Sequence, residues 1–170
     1  MSTETSIERH TIAVLVDNEA GVLARVIGLF SGRGYNIESL TVAEVDSDGH
    51  TSRITIVTRG TPAVIEQIKA QLERLVPVHK VVDLSRDAPG IEREMAMVKV
   101  AGTGEKRVEA LRLADAFRAR VVDTTLASFV FEVTGAPEKI DAFVGLMRPL
   151  GLVDVSRTGV VAIARGSEAM

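Results

Sequence analysis

The residues best placed to do chemistry lie in one short turn, Asp17-Asn18-Glu19-Ala20-Gly21-Val22-Leu23. An apolar run, Thr11 to Val16, leads into it. Apolar residues at Val22, Leu23, Val26, Ile27 and Phe30 lead out. Their spacing of three and four draws one stripe along a helix, so the turn is a strand-to-helix junction. Asn18 is predicted as the N-cap, with Gly21 in the first helical turn. Such a junction presents unpaired backbone N–H groups and the positive end of the helix dipole. Small anions, carboxylates included, settle there without a charged side chain. A capped helix start would read the same way, but two details favour a ligand. Gly21 leaves no Cβ in front of the amides. Asn36, just after Gly34-Tyr35, brings a second amide that could read an ammonium or a carboxylate.

The remaining constellations are thin. Gly102-Thr103-Gly104-Glu105-Lys106 lacks the spaced Gly-Lys-Ser/Thr of a phosphate loop and reads as a tight strand-to-helix turn. Gly32 and Gly34 follow a helix instead of preceding one, so they end that helix. His10, His50 and His79 are far apart, and with no cysteine in the chain no metal site is expected. Asp46 and Asp48 flank a hairpin tip, where solvated carboxylates are normal. Glu19 suits a helix start electrostatically. Ser31, Ser39 and Ser128 have no histidine at a recognisable spacing, and Arg93, Arg157 and Arg165 read as surface residues that could meet a partner. No catalytic residue is predicted, and the chain is not read as an enzyme.

The elements that hold the turn form a repeated order. Residues 1–9 read as a flexible leader. Strands are predicted near 11–16, 36–45, 51–58 and 78–84, with helices at 21–32 and after Thr61-Pro62. Asp46-Ser47-Asp48-Gly49 is a hairpin signal. In the third strand, alternation over Arg53, Ile54, Thr55 and Ile56 predicts one buried face. Ser85 to Glu92 is turn-rich and reads as a linker. The order then recurs: a strand at Glu94–Val100, a helix at 105–118 with Val108, Leu111 and Phe117 inward, and strands near 121–124 and 128–134. A helix opened by Pro137 and a last strand around Val153–Ile163 complete it. The fold class is therefore α+β, with two ferredoxin-like β-α-β-β-α-β domains in tandem over 10–84 and 93–166. Cores this thin are often reinforced by pairing, so homodimerisation is expected.

Composition narrows the function classes. The 170 residues are 46% hydrophobic and 25% charged, as in a globular protein. A net charge of −3 and a single tyrosine without tryptophan argue against a nucleic-acid binder, which needs a basic footprint and stacking platforms. No apolar run reaches the roughly 18 residues that span a bilayer. With no cysteine, a cytoplasmic location is the expectation.

A ferredoxin-like unit with Asn18-Glu19-Ala20-Gly21-Val22-Leu23 at its first turn resembles the ACT domain, an amino-acid-sensing module. Two further stretches are Arg25-Val26-Ile27-Gly28-Leu29-Phe30-Ser31 and Arg33-Gly34-Tyr35-Asn36-Ile37-Glu38-Ser39-Leu40-Thr41-Val42. With them the chain resembles the small regulatory subunits of acetohydroxyacid synthase (acetolactate synthase). Glu92-Arg93-Glu94 and Ser156-Arg157-Thr158-Gly159-Val160-Val161 agree at the two ends of the second half, so the likeness runs from about residue 10 to 166. It implies a non-catalytic partner of a large subunit that carries thiamine diphosphate, FAD and Mg, with no cofactor on this chain. It further implies activation of that subunit, tied to the second domain, and feedback inhibition by valine in branched-chain amino acid biosynthesis. The effector site implied is shared by paired ACT domains: Asn18, Glu19, Ala20, Gly21, Val22 and Leu23 from one chain, Asn36 and Ile37 from the other. Commoner ACT domains have an aspartate and Pro-Gly where this chain has Asn18 and Ala20-Gly21. An ACT-domain amino-acid sensor for a different metabolic enzyme is the alternative.

Overall fold

The structure, a computed structural model, describes residues 6–170. It divides into two compact units: Met1–Ile91 together with Val160–Met170, and Glu92–Gly159.

In the first unit the order is β1 (Glu8–Asp17), α1 (Val22–Ser31), β2 (Ile37–Glu44), β3 (Thr51–Gly60), α2 (Pro62–Glu73) and β4 (Val78–Asp83). The strands form an antiparallel sheet in the order β2-β3-β1-β4. One face, with Ile12, Val14, Val16, Ile54 and Ile56, packs against Val22, Val26 and Phe30 of α1 and Ile65, Ile68 and Leu72 of α2. The predicted elements are therefore present, with α2 capped by the Thr61 side chain and started by Pro62 as expected. Of the predicted leader, residues 1–5 lie outside the described residues. Glu8 and Arg9 belong to β1, where they pair with Gly60 and Arg59.

Several expectations for this unit are revised. The alternation in β3 predicted one buried face, yet Thr55 and Val57 are buried as fully as Ile54 and Ile56. Part of the second face is covered by the C-terminal strand, which groups with this unit. The strand predicted as continuous over Val153–Ile163 is broken at Gly159, whose φ of +88° turns the backbone out of the extended region. The strand after this break, β9 (Val161–Ala164), packs Ala162 with Ala13 and Leu84. Residues 160–166, read from the sequence as the end of the second domain, group by their contacts with the first unit, while β9 also pairs with β5. Nor is Ser85–Glu92 a free linker. Asp83 accepts from the Ser85 amide through Oδ1 at 2.8 Å, its carbonyl accepts from the amides of Arg86, Asp87 and Ala88, and Lys69 Nζ donates to Asp87 Oδ2 at 2.6 Å. That bond from Lys69 holds the Asp87 carboxyl below its ordinary value. Beneath this turn, His10 Nδ1 lies 2.7 Å from Asp83 Oδ2, both residues fully enclosed.

The second unit holds β5 (Gly90–Ala101), α3 (Gly104–Ala116), β6 (Arg120–Thr124), β7 (Ser128–Gly135), α4 (Pro137–Met147), a 3₁₀ turn at Arg148–Leu150 and β8 (Leu152–Arg157), in the sheet order β6-β7-β5-β8. The first two residues of β5, Gly90 and Ile91, fall in the first unit, and β9 pairs with β5. The core stacks Phe129, Phe131 and Phe143 with Met147 and Ile140. On α3 the phase differs from prediction. Val108 and Leu111 face solvent, and Ala110 and Ala114 are buried, with Phe117 half-buried beside them. The aromatic layer fills the space that larger helix residues would occupy, so the small face turns inward. Gly102–Lys106 is the plain strand-to-helix turn expected, with Gly104 at φ +64°.

Arg157 is not a free surface residue. Its guanidinium makes a bidentate pair with Glu94, Nε to Oε1 at 2.7 Å and Nη2 to Oε2 at 2.8 Å, and reaches Asp141 Oδ1 at 2.7 Å. The Glu94 bond, first among these, raises the Arg157 pKa. Glu94 is only 4% exposed, so losing Arg157 would strand a buried carboxylate. Arg157→Met is expected to lower stability by about 2–3 kcal/mol. Adding Glu94→Met should return most of that loss, since an apolar pair leaves no orphaned charge; urea unfolding of the three variants checks both. Gly151 has φ +106°, and a Cβ there would fall 2.0 Å from the Ala101 carbonyl oxygen. Gly151→Ala is therefore expected to lose about 3 kcal/mol in the same measurement.

Candidate functional site

The turn after β1 is built by backbone bonds to its neighbours. Asp17 N donates to Pro77 O at 2.9 Å and Asn18 N to His50 O at 2.8 Å, which moor the end of β1 to the loops on both sides. Glu19 N then donates to Asp17 O and Val22 N to Glu19 O, the latter at 3.4 Å. Between them Gly21 takes φ +86°, the left-handed region that only glycine enters cheaply. That reversal aims α1 back across the sheet.

Asn18 is not the helix cap. Its Nδ2 donates to Glu44 Oε1 and to Gly49 O, both at 2.8 Å, and so ties the turn to the β2–β3 hairpin. The N-cap position is filled by Gly21, which has no side chain to offer, and α1 starts with no side-chain cap. The reason is positional: β1 continues to Asp17, leaving Asn18 three residues short of the cap. The amides of Leu23 and Ala24 at the second and third helical positions are consequently left open at a helix N-terminus. The space above is open too, since a Cβ on Gly21 would meet nothing within 4 Å.

The surroundings are acidic. Glu19, Glu44, Asp46 and Asp48 gather around the turn and hairpin, and Glu44 Oε1 faces Asn18. A hydrogen bond from the Thr51 side chain, followed by amides at the hairpin tip, holds the Asp46 carboxyl below its ordinary value. Asp17 is paired with His79. The helix start thus offers donors for a carboxylate, and the carboxylates beside it suit an ammonium. Among the described residues no three His, Asp or Glu side chains converge as a metal site would require.

The expected site residues do not all meet in one chain. Asn18, Glu19, Ala20, Gly21 and Leu23 are exposed around the turn, while Val22 is buried in the core and contributes only backbone. Asn36 and Ile37 lie at the other end of the sheet. Ile37 pairs with Thr58 and Asn36 O accepts from Thr58 Oγ1 at 2.6 Å, whereas Asp17 pairs with Thr51. Seven residues of β3 separate those rows, about 23 Å at strand spacing. The Asn18–Glu44 bond was not foreseeable from local pattern, because its partners are 26 residues apart.

The described residues contain no helix long and apolar enough to cross a membrane. The family model for the AHAS small subunit-like ACT domain matches residues 12–80, and that for the small subunit of acetolactate synthase matches residues 93–166. A probable acetolactate synthase small subunit from Archaeoglobus fulgidus is 48% identical over 160 residues, covering 94% of this chain and 99% of its own. The acetolactate synthase isozyme 3 small subunit of Escherichia coli is 45% identical over 95% of this chain and 99% of its own. Among solved structures, the crystal structure of the acetolactate synthase small subunit from Thermotoga maritima superposes with a TM-score of 0.83 at 36% identity. It covers 95% of this chain and 99% of that one. With both halves matched and the architecture shared end to end, the chain belongs to the acetolactate synthase small-subunit family, with an ACT domain as its first unit.

Proposed function

We propose that the chain is the regulatory subunit of an acetohydroxyacid synthase. In this reading it binds the catalytic large subunit, raises its activity, and makes it sensitive to valine as the end product of branched-chain synthesis. Thiamine diphosphate, FAD and Mg belong to the large subunit, and this chain supplies no catalytic group. The observation that carries the effector reading is the open first turn of α1: Gly21 left-handed, no cap on Leu23 and Ala24, and empty space in front.

A branched-chain amino acid suits that turn. Its carboxylate would accept from the open amides, each charge-assisted bond contributing roughly 1.5–3 kcal/mol. Its ammonium would face Glu19 and Glu44, and its side chain would rest on Leu23, which is 37% exposed at the helix start. The second arm comes from a partner chain. β2 is the edge strand of the sheet and exposes Val42. An antiparallel match of β2 with β2 of a second copy would carry the partner copy's Asn36–Ile37 end toward this chain's Glu44 end, where Asn18 and Gly21 lie. The wide separation of the two arms within one chain supports this two-chain pocket. Coupling to the large subunit then needs only the usual 1–3 kcal/mol, roughly a 5- to 150-fold effect.

Gly21→Asp is expected to abolish valine inhibition of the reconstituted holoenzyme while activation persists, because it sets a carboxylate against the effector's own. Gly21→Asn, with the same backbone demand and no charge, should stay inhibitable. Full valine sensitivity in Gly21→Asp would refute the site. For the dimer, Val42→Lys puts a charge on the β2 edge. It should weaken self-association at least tenfold by sedimentation and cut valine binding in parallel; valine binding by a monomeric variant would rule out a shared pocket.

A further inference from the structure

The chain re-enters the first unit through a passage one residue long. Thr158 is clamped to Met95 in both directions, its N–H donating to Met95 O at 3.0 Å and its Oγ1 accepting from Met95 N at 3.1 Å. Gly159 comes next at φ +88°. Val160 is then clamped to β2: its N–H donates to Ser39 Oγ at 2.7 Å and its carbonyl accepts from Thr41 Oγ1 at 3.1 Å. Two residues on, Arg53 Nη2 donates to Ala162 O at 2.7 Å. Burial of Arg53 lowers its pKa, and the guanidinium directs its charge at a neutral carbonyl.

These attachments have the character of a latch. Val160 and Ala162 point in and are buried, while Val161 and Ile163 on the other face are more than half exposed, so little apolar area holds β9 down. The hold comes from side chains of β2 and β3 on the backbone of the returning strand, beside its pairing with β5. Individually such bonds are weak enough to be rearranged by the free energy an effector supplies. Ser39 and Thr41 also stand immediately after an irregularity, since the β2–β3 register shifts between Ile37 and Ser39. Bulges are points where a strand re-aims its side chains, and this one separates Asn36 and Ile37 from the latch.

We propose that Ser39, Thr41 and Arg53 are positioning residues for the regulatory response. They convert a change at the start of β2 into a change in the segment that begins at Val160, and through Gly159 into the second unit. This inference rests on the effector reading above. The chemistry asks that ordering of Asn36 and Ile37 by ligand adjust the bulge and shift the hydroxyls of Ser39 and Thr41. A single residue, Gly159, stands between the Val160 and Thr158 clamps, about one 3.8 Å Cα step from each.

The test is the double variant Ser39→Ala/Thr41→Val, with Ser39→Thr/Thr41→Ser as the hydroxyl-retaining control and Thr41→Val alone should the double variant fold poorly. Three readouts are taken: valine binding to the small subunit by calorimetry, valine inhibition of the reconstituted holoenzyme, and amide exchange at Val160. In the double variant, valine affinity should stay within about threefold, Val160 exchange should quicken at least tenfold, and inhibition should fall at least fivefold. The control should behave as the native chain; a structural role alone would lower stability without separating binding from inhibition. Unchanged inhibition with the Val160 amide freed would overturn the latch while leaving the effector site standing. Failure of the native chain to bind valine would overturn the effector reading and the latch with it.

Discussion

A four-stranded sheet with both helices on one side has a second face to cover, and much of the first unit depends on how this chain covers it. Thr11, Ala13, Thr55 and Val57 sit on that face and are fully buried. Part of the cover is the chain's own C-terminus, seated by Ala162 against Ala13 and Leu84 and by hydrogen bonds from Thr41 and Arg53. The consequence is topological. The first unit is not complete at the end of β4, because the strand that begins at Val161 is one of its parts. A chain that must travel through a second unit before finishing the first ties the two together twice, once through β5 and once through Gly159.

Stability is likewise given up at the helix start. An N-cap side chain would satisfy the amides of Leu23 and Ala24 and contribute about 1 kcal/mol of helix stability. Instead the cap position is glycine, and the asparagine that looked like the cap is bound to Glu44 and Gly49. The donors are left unsatisfied at an exposed, rigidly moored turn, with carboxylates close by. That arrangement suits a zwitterion better than a plain anion, since the acidic neighbours would repel a ligand lacking an ammonium.

The proposed two-chain pocket would also give a physical reason for regulation without a catalytic residue. A ligand held by two copies favours the arrangement in which both halves are in place, and only that differential affinity can shift an equilibrium. In the proposed scheme the shift starts at β2, the strand that is at once the sheet edge, the carrier of Asn36 and Ile37 and the anchor of the returning segment. Three roles on one strand account for its mixed composition, with apolar Leu40 inward and hydroxyls at Ser39 and Thr41 on the opposite face.

Local pattern by itself determined the element order as far as α4, the apolar stripes of α1, α2 and α4, the hairpin at Asp46–Gly49 and the strand-to-helix turn at Gly21. Each depends on residues within a few positions of one another, where spacing and glycine or proline chemistry suffice. The motif around Asn18 and the stretches Arg25–Ser31 and Arg33–Val42 likewise carried the family. Tertiary structure decided what depends on distant partners. It put Asn18 on Glu44 instead of the helix, buried Ala110 and Ala114 where larger neighbours looked the better choice, and separated Asn36 from Gly21 by the length of the sheet. It also paired Arg157 with Glu94 and moved β9 into the first unit. Periodicity reports that a face is apolar and not which segment will cover it. Burial is set by contacts such as Arg157 with Glu94 and Val160 with Ser39, 63 and 121 residues apart, which no local window contains.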